Sequence, residues 1–305
     1  MDRARKLVEH DKVDVIMGCV RSDAAEALEG YIKPLGIPYL NFVTHHKSLI
    51  EQPNVVSWCG IHEPYSYVLA KYAYQELGHR TVSMLTPDYV GGKMVAKGFK
   101  DGFLAAGGKI VQEQMLPMSV LGTMDFSAYI SKIMKADFVA FWVAGTIAPF
   151  VRQYYAYGLK MPLVITTAWT ASEEIMVDIG DLGLGMYTIQ QYTPLIDTDI
   201  NKKFVAMYEK KYATPPQLFA GYALGAASIF LKAVENTRGD VAPEKLLKAL
   251  TNVSVDTAAG HAEVRYPDGI GEADAYITKS IKIGNRYCWQ PVKKIPGVGR
   301  PYPGY

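Results

Sequence analysis

The chain has 305 residues, about half of them apolar, which is enough for two domains or one large one. Its 32 basic and 30 acidic residues nearly cancel and form no basic stripe, which argues against nucleic acid as a partner. No apolar run approaches the roughly 20 residues of a membrane span. The charged start, Met-Asp-Arg-Ala-Arg-Lys, lacks the apolar core of a signal peptide.

Strands and helices alternate through the first part of the chain. Apolar, partly β-branched runs predict strands at residues 13–17, 81–85, 110–115, 138–143 and 163–166. Helical spacing of apolar residues, or helix-opening sequence, predicts helices at residues 3–9, from 24 onward, 94–104, 125–134 and 148–157. This alternation predicts an α/β fold in which helices cover both faces of a mostly parallel sheet.

A second block begins near residue 197. It contains two helical stripes, over 204–212 and 222–234, and a third helix at 243–250. After Gly260 the pattern changes to short β-type runs at 261–266, 275–283 and 287–290. The segment 291–305 is rich in proline and glycine, so we expect a poorly packed tail there. No glycine-rich linker separates two domains.

Motifs for catalysis and for cofactors are missing from the sequence. There is no Gly-x-Ser-x-Gly elbow, His-Glu-x-x-His pair, Walker loop or dinucleotide fingerprint, so we expect no catalytic residues, no cofactor and no metal. The adjacent pair His45-His46 has no nearby Cys or carboxylate to complete a metal site. Cys19, Cys59 and Cys288 are too widely spaced for a metal pattern. Two interpretations of the cysteines remain open: all three are buried thiols, or two of them form a disulfide and the third is a free thiol.

Polar and aromatic residues follow the predicted strands at their C-terminal ends, the edge at which open α/β sheets bind ligands. Hydroxyls, rings and free amides without a nucleophile and base indicate recognition instead of catalysis. These candidate ligand-binding positions are Ser22, Thr44, His45, Asp88, Tyr89, Gly145, Thr146, Thr167 and Trp169.

The order and spacing of several segments resemble the periplasmic substrate-binding proteins of branched-chain amino acid type ABC transporters. The segments are 4–18 (ARKLVEHDKVDVIMG), 35–40 (LGIPYL), 88–109 (DYVGGKMVAKGFKDGFLAAGGK), 125–127 (DFS) and 212–216 (YATPP). The resemblance covers roughly residues 3–290. It implies a non-enzymatic, periplasmic protein that hands a small ligand to permease subunits.

That resemblance implies the type I periplasmic-binding fold, with two α/β lobes joined by crossover strands and a cleft that closes on ligand. Lobe one would comprise 1–60 and 190–258, lobe two 61–189 and 259–290, and 291–305 would be the tail. By position, Ser22, Thr44 and His45 match groups that hold the ligand carboxylate. Tyr89 matches a tyrosine that covers the ligand, and Gly145-Thr146 matches the next cleft loop.

Three departures from the family pattern carry further expectations. The family's opening strand–helix–strand unit is absent, so we expect an N-terminally truncated chain that is less stable and less soluble than an extended one. Some members bridge a cysteine at the position of Cys19 to one upstream, where this sequence has no counterpart.

Amino acid binders place a carboxylate near Thr167, but the run here is Thr-Thr-Ala-Trp. Because a buried ammonium needs a counter-charge, this favours an aromatic or other organic acid, unless Asp88 or Glu173 supplies the charge.

Two other functions remain open. A cytosolic ligand-sensing regulator on the same fold is consistent with the charged N-terminus, although no DNA-binding segment or output domain accompanies it. An α/β enzyme with an unrecognised site is the third alternative, and measurable turnover would distinguish it.

Overall fold

The computed structural model describes residues 1–20, 22–43, 52–167, 171–265 and 268–305, with backbone alone at 22, 23 and 26. The chain divides into two compact units. Unit 1 contains Met1–Ile61, Asp197–Asp274 and Pro296–Tyr305, and unit 2 contains His62–Ile196 and Ala275–Ile295.

Helices and strands alternate along the chain, which confirms the predicted α/β class. The helices are α1 Asp2–Arg5, α2 Ser22–Ile32, α3 Glu63–Gln75, α4 Val90–Ala105, α5 Met118–Thr123, α6 Ser127–Ile130, α7 Ile147–Ala156, α8 Glu173–Ile179, α9 Asp199–Tyr212, α10 Leu218–Asn236 and α11 Pro243–Leu250. The strands are β1 Ile16–Met17, β2 Tyr39–Asn41, β3 Val55–Ser57, β4 Thr81–Pro87, β5 Lys109–Leu116, β6 Phe138–Phe141, β7 Leu163–Ile165, β8 Tyr187–Gln190, β9 Val253–Thr257, β10 Gly260–Val264, β11 Glu272–Ile283 and β12 Arg286–Val298.

The sheet of unit 2 runs in the order β5-β4-β6-β7-β8, and all of these neighbours are parallel. Strand β11 then pairs antiparallel with β8 through Tyr276↔Gln190. Every residue of β6 and β7 is buried. This is the pattern of central strands covered on both faces, and it explains why these runs are continuously apolar.

Helices α3 and α4 pack closely in unit 2 because α4 carries glycines on the contact face. A Cβ on Gly98 would lie 2.2 Å from the Glu63 carbonyl oxygen, and one on Gly102 would lie 2.2 Å from that of Tyr67. Side chains at these two positions would force the helices apart. The glycine spacing of four residues therefore determines the approach of α3 to α4.

Unit 1 contains a parallel sheet β1-β2-β3 and an antiparallel hairpin β9-β10 that continues to the start of β11. Helix α10 buries one face, where Gly225 lies against the fully buried ring of Trp58. By length and composition alone, α10 is the one helix among the described residues that could cross a membrane. Its buried face, which includes Tyr222, Ala226 and Ile229, is that of a core helix.

The structure corrects the expected end of the chain. Residues 259–274 lie in unit 1, not in lobe two, because β10 folds back on β9 as a hairpin with Gly260 opposite Thr257. The expected tail has regular structure over 291–298, which continue strand β12, and Val298 is the one buried residue in that stretch. Proline is tolerated there because, among the described strands, β12 pairs with β11 alone and so lies at an edge. Beyond it, Tyr302 is buried.

Candidate functional site

Three adjacent strands of unit 2 bring several predicted site residues to one edge of the sheet. Leu85 of β4 pairs with Phe141 of β6, which pairs with Ile165 of β7. Because these strands are parallel and in register, the segments that follow them emerge side by side. Those segments carry Tyr89, Gly145-Thr146 and Thr167. The candidate edge is therefore defined by the loops after β4, β6 and β7.

The loop after β4 is a tight turn into helix α4. The Tyr89 amide donates to the Pro87 carbonyl at 3.0 Å, and the helix begins at Val90. A Cβ on Gly92 would lie 1.9 Å from the same Pro87 oxygen, so the turn closes only over glycine. A Cβ on Gly91 would lie 2.9 Å from the Tyr89 hydroxyl oxygen. The tyrosine ring therefore rests on the first turn of α4.

Trp142, which the sequence analysis did not select, packs beside Tyr89. The two ring centroids are 5.8 Å apart with an interplanar angle of 40°. The Trp142 amide donates to the Leu85 carbonyl at 3.0 Å, and only 4% of the residue is exposed, whereas Tyr89 is half-buried. A tryptophan at the end of the apolar run 138–143 was the signal available. The run predicts one strand that includes Trp142, whereas the observed β6 ends at Phe141 and leaves Trp142 in the loop that follows.

The loop after β6 continues into a 3-10 turn over Ala144–Thr146. Ala144 has a positive φ of 48°, and the Thr146 hydroxyl donates to the Val143 carbonyl at 2.6 Å. Thr146 is buried, whereas Gly145 is exposed and a Cβ there would meet nothing within 4 Å. The turn thus presents exposed backbone at Gly145. Because the Thr146 hydroxyl already donates its proton to Val143, it can only accept a further hydrogen bond.

The loop after β7 is anchored by hydrogen bonds at Thr166. Its amide donates to the Phe141 carbonyl at 3.0 Å, and its carbonyl accepts from the Ser66 hydroxyl at 3.2 Å. The next residue, Thr167, is 2% exposed. Trp169 lies outside the described residues. The structure therefore describes Thr167 at the candidate edge and leaves the aromatic part of this prediction untested.

Both carboxylates proposed as counter-charges for an ammonium have cationic partners. The Asp88 carboxylate lies 2.9 Å from the Lys93 ammonium. Glu173 is 7% exposed, and its Oε2 accepts from Arg286 Nη2 at 2.7 Å and Nε at 3.0 Å. Burial raises the pKa of the Glu173 carboxyl, and the Arg286 guanidinium opposes that rise. Each negative charge is thus already balanced within unit 2.

Less of the predicted site can be placed in unit 1. Ser22 is the first residue of α2, although its side chain is not described, and Thr44 and His45 lie outside the described residues. Just before α2, the amide of Cys19 donates to the Tyr39 hydroxyl at 2.9 Å. The roles of Ser22, Thr44 and His45 stay predictions.

The cysteines and the histidines were the remaining candidates for special chemistry. Cys19, Cys59 and Cys288 are all among the described residues and form no disulfide with one another, and the last two are buried. Burial raises the pKa of the Cys288 thiol, which makes it a poor nucleophile. The described part of the chain holds no group of three or more metal-ligating side chains, and His45-His46 lies outside it.

Known proteins share both the sequence pattern and the fold. A family model described as "Periplasmic binding protein" matches residues 1–285. The Leu/Ile/Val-binding protein homolog 6 of Brucella melitensis biotype 1 is 25% identical over 289 residues, which cover 92% of this chain and 72% of that protein.

Solved structures of substrate-binding proteins have a similar fold. An ABC transporter substrate-binding protein from Sphaerobacter thermophilus is 26% identical with a TM-score of 0.87, covering 98% of this chain and 84% of that one. A solute-binding protein of an ABC transporter from Rhodopseudomonas palustris BisB5, in complex with 3,4-dihydroxybenzoic acid, is 24% identical with a TM-score of 0.88 and coverages of 98% and 83%. The family match spans most of the chain, and the chain belongs to the periplasmic binding protein family.

Proposed function

We propose that this protein is a periplasmic solute-binding protein that captures a small carboxylate-bearing ligand and delivers it to the permease subunits of an ABC importer. The observation that carries the proposal is the edge of unit 2 on which Tyr89, Trp142 and Thr167 follow adjacent strands. Rings, hydroxyls and exposed backbone suit recognition of a small organic molecule. Family membership supports a role in binding and transport and gives no support to catalysis.

Capture works by hinge closure in this proposal. A ligand that contacts the closed form better than the open form shifts the population toward closure, by no more than that difference in affinity. The chain crosses between the two units at residues 61–62, 196–197 and 274–275, and it returns at 295–296. Several crossings, in place of one linker, favour a hinge motion along a defined path.

The ligand class has to come from this chain's own residues. The fold serves a Leu/Ile/Val-binding protein homolog and a protein solved with a dihydroxybenzoic acid, so it does not choose between amino acids and aromatic acids. In unit 2, Asp88 and Glu173 are paired with Lys93 and Arg286. An ammonium group paired with Glu173 would have to displace Arg286 from a buried carboxylate, and a buried ammonium without a counter-charge would cost several kcal/mol. The Asp88–Lys93 pair is exposed and opposes an ammonium only weakly. We therefore favour an organic acid without an amine, with branched-chain amino acids as the alternative.

Matched ligand pairs test this proposal directly. Isothermal titration calorimetry of the full chain compares 3-phenylpropanoate with phenylalanine, and 4-methylpentanoate with leucine, because each pair differs only in the amino group. We expect the amine-free acid of each pair to bind at least about tenfold more tightly, the equivalent of about 1.4 kcal/mol.

Tighter binding of leucine or phenylalanine would overturn the ligand class while leaving the binding role intact. Absence of binding to any small carboxylate would overturn the proposed function itself. Charge-neutral Asp88→Asn serves as the control, since an ammonium site that used Asp88 would lose its amino acid affinity in this variant.

A further inference from the structure

We infer that Trp142 is a positioning residue that selects flat aromatic acids by holding the ring of Tyr89 in place. This inference rests on the proposed function, because it concerns the specificity of the same ligand site. It assigns to Trp142 a role that neither the sequence motifs nor the family match identifies.

The Tyr89 ring is held on two sides. Its edge rests on the first turn of α4, where a Cβ on Gly91 would come within 2.9 Å of the hydroxyl oxygen and 3.0 Å of the ring carbons. Its flank lies against Trp142, with centroids 5.8 Å apart and planes inclined by 40°. A tyrosine in a loop would otherwise sample several χ1 rotamers, so these two contacts preorganise one ring orientation.

Trp142 itself is rigidly placed. Its backbone continues the ladder between β4 and β6, since the Trp142 amide donates to the Leu85 carbonyl at 3.0 Å. Trp142 is 4% exposed and Tyr89 is half-buried, so the tyrosine is the more accessible residue of the pair. A ligand that reaches this edge therefore meets Tyr89, and the indole acts through it.

The arrangement favours a planar ligand for a physical reason. Aromatic rings attract one another in offset or edge-to-face geometries, and a fixed ring pays less entropy when a second ring docks on it. A saturated ring of the same size carries no π-system and gains only the apolar contact. Benzoate and cyclohexanecarboxylate share a carboxylate and a six-carbon ring, so their affinity ratio compares a flat aromatic ring with a puckered saturated one at equal charge and carbon number.

The experiment measures that ratio by calorimetry in the full-length wild type, Trp142→Leu and Trp142→Phe. We expect wild type to prefer benzoate, Trp142→Leu to lose about tenfold of that preference, and Trp142→Phe to retain most of it because an aromatic flank remains. A combined Tyr89→Leu and Trp142→Leu variant should show the same ratio as Tyr89→Leu alone, because Trp142 acts through Tyr89.

A structural role for Trp142 alone would lower stability without changing the ratio. Thermal denaturation of each variant is therefore measured beside the titrations. If Trp142→Leu does not fold, Gly91→Ala provides the second variant, since its methyl group meets the Tyr89 ring first and the Trp142 side chain is retained. It should lower the benzoate preference in the same direction.

The inference fails if wild type and Trp142→Leu, or wild type and Gly91→Ala, share one benzoate-to-cyclohexanecarboxylate ratio. It also fails if the ratio falls equally in Trp142→Leu and Trp142→Phe. If wild type binds neither acid nor any other small carboxylate, the proposed function fails first and the selection by Trp142 fails with it.

Discussion

Two neighbouring glycines at the start of α4 should have opposite consequences when each is changed to alanine. A Cβ on Gly92 would lie 1.9 Å from the Pro87 carbonyl oxygen, a backbone atom in a closed turn. A Cβ on Gly91 would lie 2.9 Å from the hydroxyl oxygen of Tyr89, the far end of a side chain that can rotate away. The first contact tests the fold, and the second tests the candidate site.

The expected magnitudes follow from which atoms must move. In Gly92→Ala the turn has to open by about 1 Å, and overpacking of this kind costs about 1–3 kcal/mol. At about 2–4 °C per kcal/mol for a unit of this size, thermal denaturation should show a clear fall in the midpoint. In Gly91→Ala the added methyl group meets the far end of a flexible side chain, so rotation of the Tyr89 ring relieves the contact at little cost in stability. Its midpoint should stay near that of wild type while benzoate affinity falls.

Circular dichroism melts and calorimetric titrations of both variants provide the measurements. The reasoning would be refuted by equal losses of stability in the two variants. It would equally be refuted if Gly91→Ala bound benzoate as tightly as wild type, because the ring of Tyr89 would then have no part in binding.

Three further changes test the packing described above. Arg286→Met removes the cation that faces the buried carboxylate of Glu173, so the melting midpoint should fall, and adding Glu173→Met should recover most of the loss in a double-mutant cycle. His79 stacks on the buried ring of Phe138, with centroids 4.6 Å apart. Burial lowers the pKa of His79 in the folded state, so the unfolded state binds the proton more readily. Unfolding free energy should therefore fall as pH drops below about 6.5, and His79→Gln should flatten that part of a urea-denaturation series. Gly225→Ala places a methyl group 2.5 Å from the Trp58 ring, so it should destabilise unit 1 by about 1–3 kcal/mol in the same assay, and Trp58→Phe should relieve part of the loss. An unchanged midpoint in Arg286→Met, an unaltered pH profile in His79→Gln, or a stable Gly225→Ala would each contradict the corresponding contact.

The order of elements was predictable because its signals are local. Apolar runs such as 163–166 and turn glycines such as Gly158 report on backbone preference within a few residues, and they placed most strands of the parallel sheet. The residues at which each helix and strand ends were less predictable. The predicted strand at 138–143 ends at Phe141, since the chain turns into the loop that carries Trp142, and the predicted helix at 125–134 is limited to Ser127–Ile130. Such ends depend on pairing and packing with neighbouring strands.

The candidate site was predictable in part, for the same reason. That Tyr89 and Gly145-Thr146 follow strands can be read from the sequence, and parallel topology then brings them to one edge. The pairing of Tyr89 with Trp142 could not be read in this way. Helix α4, strand β5, helices α5 and α6 and strand β6 separate the two residues in the chain, and ring geometry depends on how β4 and β6 pair.

The sequence by itself determined the α/β class, the resemblance to periplasmic binding proteins and the positions of the loops that follow the strands. Tertiary structure alone decided which charges are available at the site. Glu173 and Arg286 are 113 residues apart in the chain, yet they form a part-buried ion pair because β11 brings the chain back into unit 2, where β12 begins. Local patterns report what a segment prefers, whereas the partner of a buried charge is set by contacts between distant segments, and these exist only once the sheet has formed.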